Sequence, residues 1–206
     1  MGTVAIVDYG LCNLDSIARA IERCGGSPRV TCDPAALPTA DHIILPGVGA
    51  FGAAMVNLRA SGMDEAIVAE VGRRAVPFLG ICLGMQLLAE RSSEGDSEGL
   101  GLIPGEITRL EPINGERVPH VGWNEVEVRA HHPLFEDIAS GTDFYFVHSY
   151  RFDASSEYVT AVAPYCGGFI AGVRRGHVLG VQFHPEKSQK AGFRMLENFL
   201  GMRWAG

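Results

Sequence analysis

A chain of 206 residues, 47% of them hydrophobic, is long enough for one domain with a full apolar core. Its net charge of −7, with no Lys/Arg block longer than two, argues against nucleic acid as a partner. The longest apolar stretch, residues 76–89, contains Gln86 and the element-breaking Pro77, Gly80 and Gly84, which argues against a membrane span.

The N-terminus has no basic leader and reads as a first strand at residues 4–7 rather than a signal peptide. Asn13 reads as an N-cap, with Leu14, Ile17, Ala18 and Ile21 at helical spacing and Gly25-Gly26 as the stop. Residues 28–30 form a weak strand. Residues 42–45 form a buried one, closed by Pro46-Gly47-Val48-Gly49. Helices are expected at 51–58 and 63–71, a strand at 76–79 and a helix at 85–90. Apolar strands alternating with helices predict a parallel, doubly wound sheet, whose ligands bind at the carboxyl ends of strands.

From Arg91 the texture changes. Residues 91–99 read as a polar, glycine-rich loop. Short β-like runs follow at 106–110, 125–128, 143–147, 158–162, 169–173 and 178–182, with turns at Gly115-Glu116 and Arg175-Gly176. A last helix at 189–200 carries Phe193, Leu196, Phe199 and Leu200 on one face. The expected architecture is α/β: a mixed, mainly parallel sheet flanked by helices, with a smaller antiparallel portion, in a single domain over residues 1–206.

Cys82 lies in Gly80-Ile81-Cys82-Leu83-Gly84, between a strand and a helix signal. Small residues two places either side of a nucleophile are what a sharp strand-to-helix turn needs. The Leu83 N–H would then face an oxyanion formed beside Cys82. A cysteine without this setting more often reads as a buried structural residue, and Cys12, Cys24, Cys32 and Cys166, which lack it, read as structural or incidental. An odd, scattered set with no Cys-x-x-Cys spacing points to reduced thiols in a cytoplasmic protein.

His184-Pro185-Glu186 ends the strand expected at 178–182. Pro185 stops the ladder, and a local turn can bring the Glu186 carboxylate to the imidazole, giving nucleophile, base and orienter. Pro46–Gly49 is either a plain turn or, through the N–H groups near Val48 and Gly49, a second arm of an oxyanion hole. Among the seven histidines, His131-His132 reads as a surface turn, and His120 and His148 as polar groups ending β-like runs. No spacing suggests a metal and no dinucleotide fingerprint is present, so no cofactor is expected.

These segments resemble the class-I (triad) glutamine amidotransferases. Gly80-Ile81-Cys82-Leu83-Gly84-Met85-Gln86 is similar to their nucleophile motif and His184-Pro185-Glu186 to the rest of their triad. Asp8-Tyr9-Gly10 with Asn13-Leu14, Leu45-Pro46-Gly47-Val48-Gly49-Ala50-Phe51, Val118-Pro119-His120-Val121-Gly122-Trp123-Asn124, Phe146-Val147-His148-Ser149-Tyr150 and residues 182–188 narrow the resemblance to the glutaminase subunits of imidazole glycerol phosphate synthase. Cys12 stands where that family usually has Gly.

The resemblance implies that L-glutamine is hydrolysed to glutamate and ammonia. Gly49, Gly84, Gln86, Glu94, Ser149 and Tyr150 would contact the glutamine. Asn13, Pro119, His120, Trp123, Asn124, Tyr145 and Lys187 would line the ammonia exit or the partner face, where ordinary packing is the alternative. It implies a heterodimer with a cyclase subunit of the HisF type, a TIM barrel, which uses the ammonia to form imidazole glycerol phosphate and a purine precursor in histidine biosynthesis. The glycines around Val48 would let one peptide flip, leaving the oxyanion hole incomplete until the partner binds its substrate. Alternatives are a stand-alone γ-glutamyl hydrolase, an amidotransferase subunit of another pathway, or a binding module with a decayed site.

Overall fold

A computed structural model describes residues 2–129 and 131–203, so the limits of the expected domain, residues 1 and 206, lie outside the described residues. In the first half β1 (Thr3–Val7), α1 (Leu14–Arg23), β2 (Ser27–Thr31), β3 (His42–Leu45), α2 (Phe51–Ser61), α3 (Met63–Arg73), β4 (Phe78–Ile81) and α4 (Leu83–Gln86) follow in order. The second half holds β5 (Arg91–Ser92), β6 (Ser97–Glu98), β7 (Glu106–Arg109), β8 (His120–Val128), β9 (Thr142–His148), β10 (Tyr150–Asp153), β11 (Val159–Ala163), β12 (Phe169–Arg175), β13 (Val178–Val181) and α5 (Gln189–Gly201).

The strands join in the order β2-β1-β3-β4-β13-β12-β10-β7-β5-β6, and β11 carries β8 and β9 as a side arm. From β2 to β13 the pairs are parallel; β12, β10, β11, β8 and β9 add antiparallel pairs. The apolar strands are continuous because both faces are covered. Val4 and Ile6 of β1 pack into one cluster with Ile17 and Ile21 of α1 and Met195, Leu196 and Phe199 of α5. Ala5 and Val7 point the other way, into a cluster with Met55 and Leu58 of α2 and Met63 and Ile67 of α3. Each such large side chain, fully buried, contributes about 1.5–3 kcal/mol.

Several elements differ from expectation. The helix expected at 85–90 stops at Gln86, because the carbonyls of Leu87, Leu88 and Ala89 accept from Leu100, Ile103 and Gly101 instead of from a further helical turn. The loop at 91–99 contains the β5–β6 hairpin. The strand expected at 125–128 starts at His120, and β10 was not foreseen. Asn13 occupies the N-cap position of α1 without a side-chain cap bond. His132 is buried and its Nδ1 accepts from the Leu134 N–H at 3.1 Å, so only His131 fits the expected surface turn.

Candidate active site

Three strand ends meet at the site. β4 and β13 run parallel in register, with Ile81 beside Val181, and Leu45 of β3 lies beside Gly80. Cys82, the segment from Pro46 to Gly49, and Gln182 to His184 therefore leave the sheet together.

Cys82 adopts φ 54°, ψ −110°, a backbone conformation that costs about 1–3 kcal/mol and aims the side chain off the sheet edge. Its N–H is held by the Val181 carbonyl at 2.8 Å, and its own carbonyl accepts from Met85 and Gln86. The flanking glycines are required by close approach. A Cβ on Gly80 would sit 2.6 Å from the Gly84 carbonyl oxygen, and one on Gly84 would sit 1.7 Å from that of Leu45. Gly84, expected to contact substrate, instead packs against β3 and does not line the cavity.

His184 is buried, with its N–H on the Tyr145 carbonyl at 2.9 Å. Its Nδ1–H donates to Glu186 Oε1 at 2.8 Å, and its Nε2 is buried without a partner among the described residues. Burial disfavours the charged ring, but the neighbouring Cys82 sulfur and the Glu186 carboxylate outweigh burial and raise its pKa. Ser188 secures this turn: its hydroxyl donates to the His184 carbonyl at 2.6 Å and accepts from the Tyr145 N–H at 3.0 Å.

A cavity of about 290 Å³ opens over Cys82, lined also by Val48, Gly49, Leu83, Gln86, Glu94, Pro119, His148, Ser149 and Tyr150. Most expected glutamine contacts are thus brought together from four parts of the chain. Glu94 is anchored at α2, its Oε2 accepting from the Phe51 N–H at 2.8 Å. The Val48 N–H is not directed at Cys82. It donates to the Leu11 carbonyl at 2.9 Å. Beneath it Tyr9 Oη donates to the Pro46 carbonyl at 2.9 Å, and Cys12 Sγ lies 3.8 Å from the same oxygen.

The residues expected at the exit or partner face divide. Trp123 is exposed on β8 and meets Tyr145 of β9 edge-to-face at 6.0 Å, with Lys187 Nζ 5.9 Å from the Tyr145 ring. Val121 and Val147, paired on the same outer side, are also exposed. Asn13 is exposed. His120 is not on this face: it is buried behind β8, stacked on Tyr165 at 4.0 Å. Two residues not singled out from sequence border the chemistry, Gln182, whose Nε2 lies 3.7 Å from Cys82 Sγ, and Ser188. Among the described residues no His/Cys/Asp/Glu group is set to hold a metal, and no helix is long and apolar enough to cross a membrane.

The family model for class-I glutamine amidotransferases matches residues 5–202. The imidazole glycerol phosphate synthase subunit HisH of Moorella thermoacetica is 49% identical over 201 residues, covering 97% of this chain and 94% of that one. Subunit HisH 1 of Campylobacter jejuni (strain RM1221) is 44% identical over 198 residues, covering 96% and 98%. Among solved structures, PurLQS from Thermotoga maritima superposes with a TM-score of 0.74 at 23% identity, covering 97% of this chain and 98% of that one, a likeness of fold.

Proposed function

The chain belongs to the class-I glutamine amidotransferases, within the HisH subunits of imidazole glycerol phosphate synthase, and we propose that it hydrolyses L-glutamine to supply ammonia for histidine biosynthesis. The observation that carries this reading is the 2.8 Å bond from His184 Nδ1–H to Glu186, which leaves Nε2 free to serve as the base toward the neighbouring Cys82 sulfur. Cys82 passes its thiol proton to His184 Nε2, and the sulfur attacks the side-chain carbonyl carbon of glutamine. The oxyanion is received by the Leu83 N–H and, after a peptide flip, by the Val48–Gly49 segment. His184 returns the proton to the departing nitrogen, ammonia leaves, and a γ-glutamyl thioester remains. His184 then takes a proton from water, which releases glutamate and restores the thiol. Gly49, Gln86, Glu94, Ser149 and Tyr150 hold the substrate.

The partner is a TIM-barrel cyclase subunit of the HisF type, docked on the outer side of β8–β9 through Val121, Trp123, Tyr145, Val147 and Lys187, with Asn13, Pro119 and Asn124 at the ammonia exit. The exposed apolar residues there support this reading. The phosphorylated acceptor belongs to the partner. One domain carries the whole function, and the five free cysteines fit a reducing cytoplasm. The test is Cys82→Ala in the complex: glutamine-dependent synthesis is lost and synthesis from added ammonia persists. Glutamine-dependent synthesis surviving in that variant overturns the reading.

A further inference from the structure

Gln182 follows β13 and is fully buried. Its Nε2 lies 3.7 Å from Cys82 Sγ, and its Oε1 accepts from Gln86 Nε2 at 3.0 Å. The same Gln86 nitrogen donates to the Tyr150 carbonyl at 3.0 Å. A backbone carbonyl only accepts, so Gln86 must turn its –NH₂ toward Tyr150, and its second proton serves Gln182. Gln182 is thereby left one orientation, with oxygen toward Gln86 and N–H toward sulfur.

The Tyr150 carbonyl is held from behind as well. His148 Nδ1–H donates to it at 2.8 Å. Burial keeps the His148 ring neutral, so its Nε2 accepts from His120 Nδ1–H at 3.1 Å. His120 Nε2 in turn lies 3.4 Å from Asn124 Nδ2. Every link in this line has a single allowed polarity.

We propose that Gln182 is a catalytic residue that donates a hydrogen bond to the Cys82 thiolate, its amide fixed by Gln86 and the Tyr150 carbonyl. The inference rests on the reading of Cys82 as the nucleophile. The sulfur also lies 3.7 Å from the Val147 carbonyl, which can accept from the thiol S–H but repels a thiolate. Once the S–H bond has broken and the proton sits on His184 Nε2, the Gln182 amide stabilises the charge left on sulfur. It does so again when the thioester is cleaved and sulfur leaves.

The experiment measures alkylation of Cys82 by iodoacetamide against pH in the full-length chain, read from the mass of the Cys82 peptide, with glutamine hydrolysis alongside. Gln182→Met keeps length and burial without a donor. Gln182→Glu keeps an oxygen toward Gln86 and sets a negative charge against the sulfur. The alkylation midpoint is expected to rise by about one pH unit in the Met variant, a tenfold loss of thiolate, and further in the Glu variant. kcat for glutamine falls about tenfold or more and KM stays within about twofold. Gln86→Met, which frees the Gln182 amide to turn, moves the midpoint the same way and serves if either Gln182 variant fails to fold. Folded variants whose Cys82 midpoint stays at the wild-type value overturn the inference. A Cys82→Ala chain that still hydrolyses glutamine overturns both this inference and the reading beneath it; an inactive Cys82→Ala chain with unmoved midpoints overturns the role of Gln182 alone.

Discussion

The backbone N–H of Val48 donates to the carbonyl of Leu11 at 2.9 Å. That bond ties the loop after β3 to the loop after β1 and turns the N–H away from Cys82. Reversal of the Gly47–Val48 peptide would redirect that N–H, and Gly47, lacking a Cβ, supplies the backbone freedom the reversal needs. In this conformation the oxyanion would have the Leu83 side of the hole only. One missing donor of this kind costs about 10²–10³ in rate. Glutamate release by the isolated chain is therefore expected to be lower by about that factor than release by the complex with cyclase and its ligand. Equal rates contradict a gated oxyanion hole.

Glu186→Gln keeps the size of the side chain and removes the charge facing His184 Nδ1. An amide nitrogen turned toward the ring favours the tautomer with its proton on Nε2, which cannot accept from Cys82. Glutamine turnover is expected to fall by about 10²–10⁴-fold while ammonia-dependent synthesis in the complex is retained. Steady-state assays with the two nitrogen sources check this, and loss of both activities together would point to misfolding instead.

Two glycines give opposite stability outcomes. Gly84→Ala forces a Cβ to within 1.7 Å of the Leu45 carbonyl oxygen, so β3 and the turn after Cys82 must separate. A loss of about 3 kcal/mol or more is expected, within the range of severe packing defects. Gly72 lies in α3 with nothing within 4 Å of an added Cβ, and Gly72→Ala is expected to gain about 0.5–1 kcal/mol. Urea unfolding of the two variants tests both signs.

Acid is expected to weaken the fold through histidines held neutral. Burial lowers the pKa of His120 and His132 to about 4 and that of His148 to about 3. In the unfolded chain these rings protonate near pH ~6.5. Their contribution is present above that pH and is lost as pH falls toward the folded values, at about 1.4 kcal/mol per pH unit for each ring. His184 acts in the other sense. Its raised pKa contributes stability that is fully present below pH ~6.5 and is lost as pH rises through about 10. Urea midpoints measured from pH 7 to pH 4 should fall, and His120→Gln should flatten the slope. A flat wild-type profile contradicts the neutral assignment.

The Cys82 turn and the His184–Glu186 pair were legible because each signal is local: glycines two places either side of Cys82, and a proline between His184 and Glu186. The apolar runs of β1, β3 and β13 were legible for the same reason, each being buried on both faces. Gln182 was not, since a glutamine ending an apolar strand reads as sheet filling until the β4–β13 register sets it beside Cys82, a hundred residues away. His120 and His148 pair only because β8 and β9 align residue 120 with residue 148. The early end of α4 depends on the returning segment at residues 100–103, whose N–H groups take carbonyls that a longer helix would have used.

The central claim is that glutamine's nitrogen is released through an acyl group carried on Cys82. Acid quenching of the complex during glutamine turnover, followed by mass analysis of the Cys82 peptide, tests it most directly. The predicted result is a γ-glutamyl group on Cys82 that disappears when glutamine is exhausted and never forms in Cys82→Ala. Steady ammonia release with Cys82 unmodified throughout, and undiminished in the alanine variant, would contradict the account.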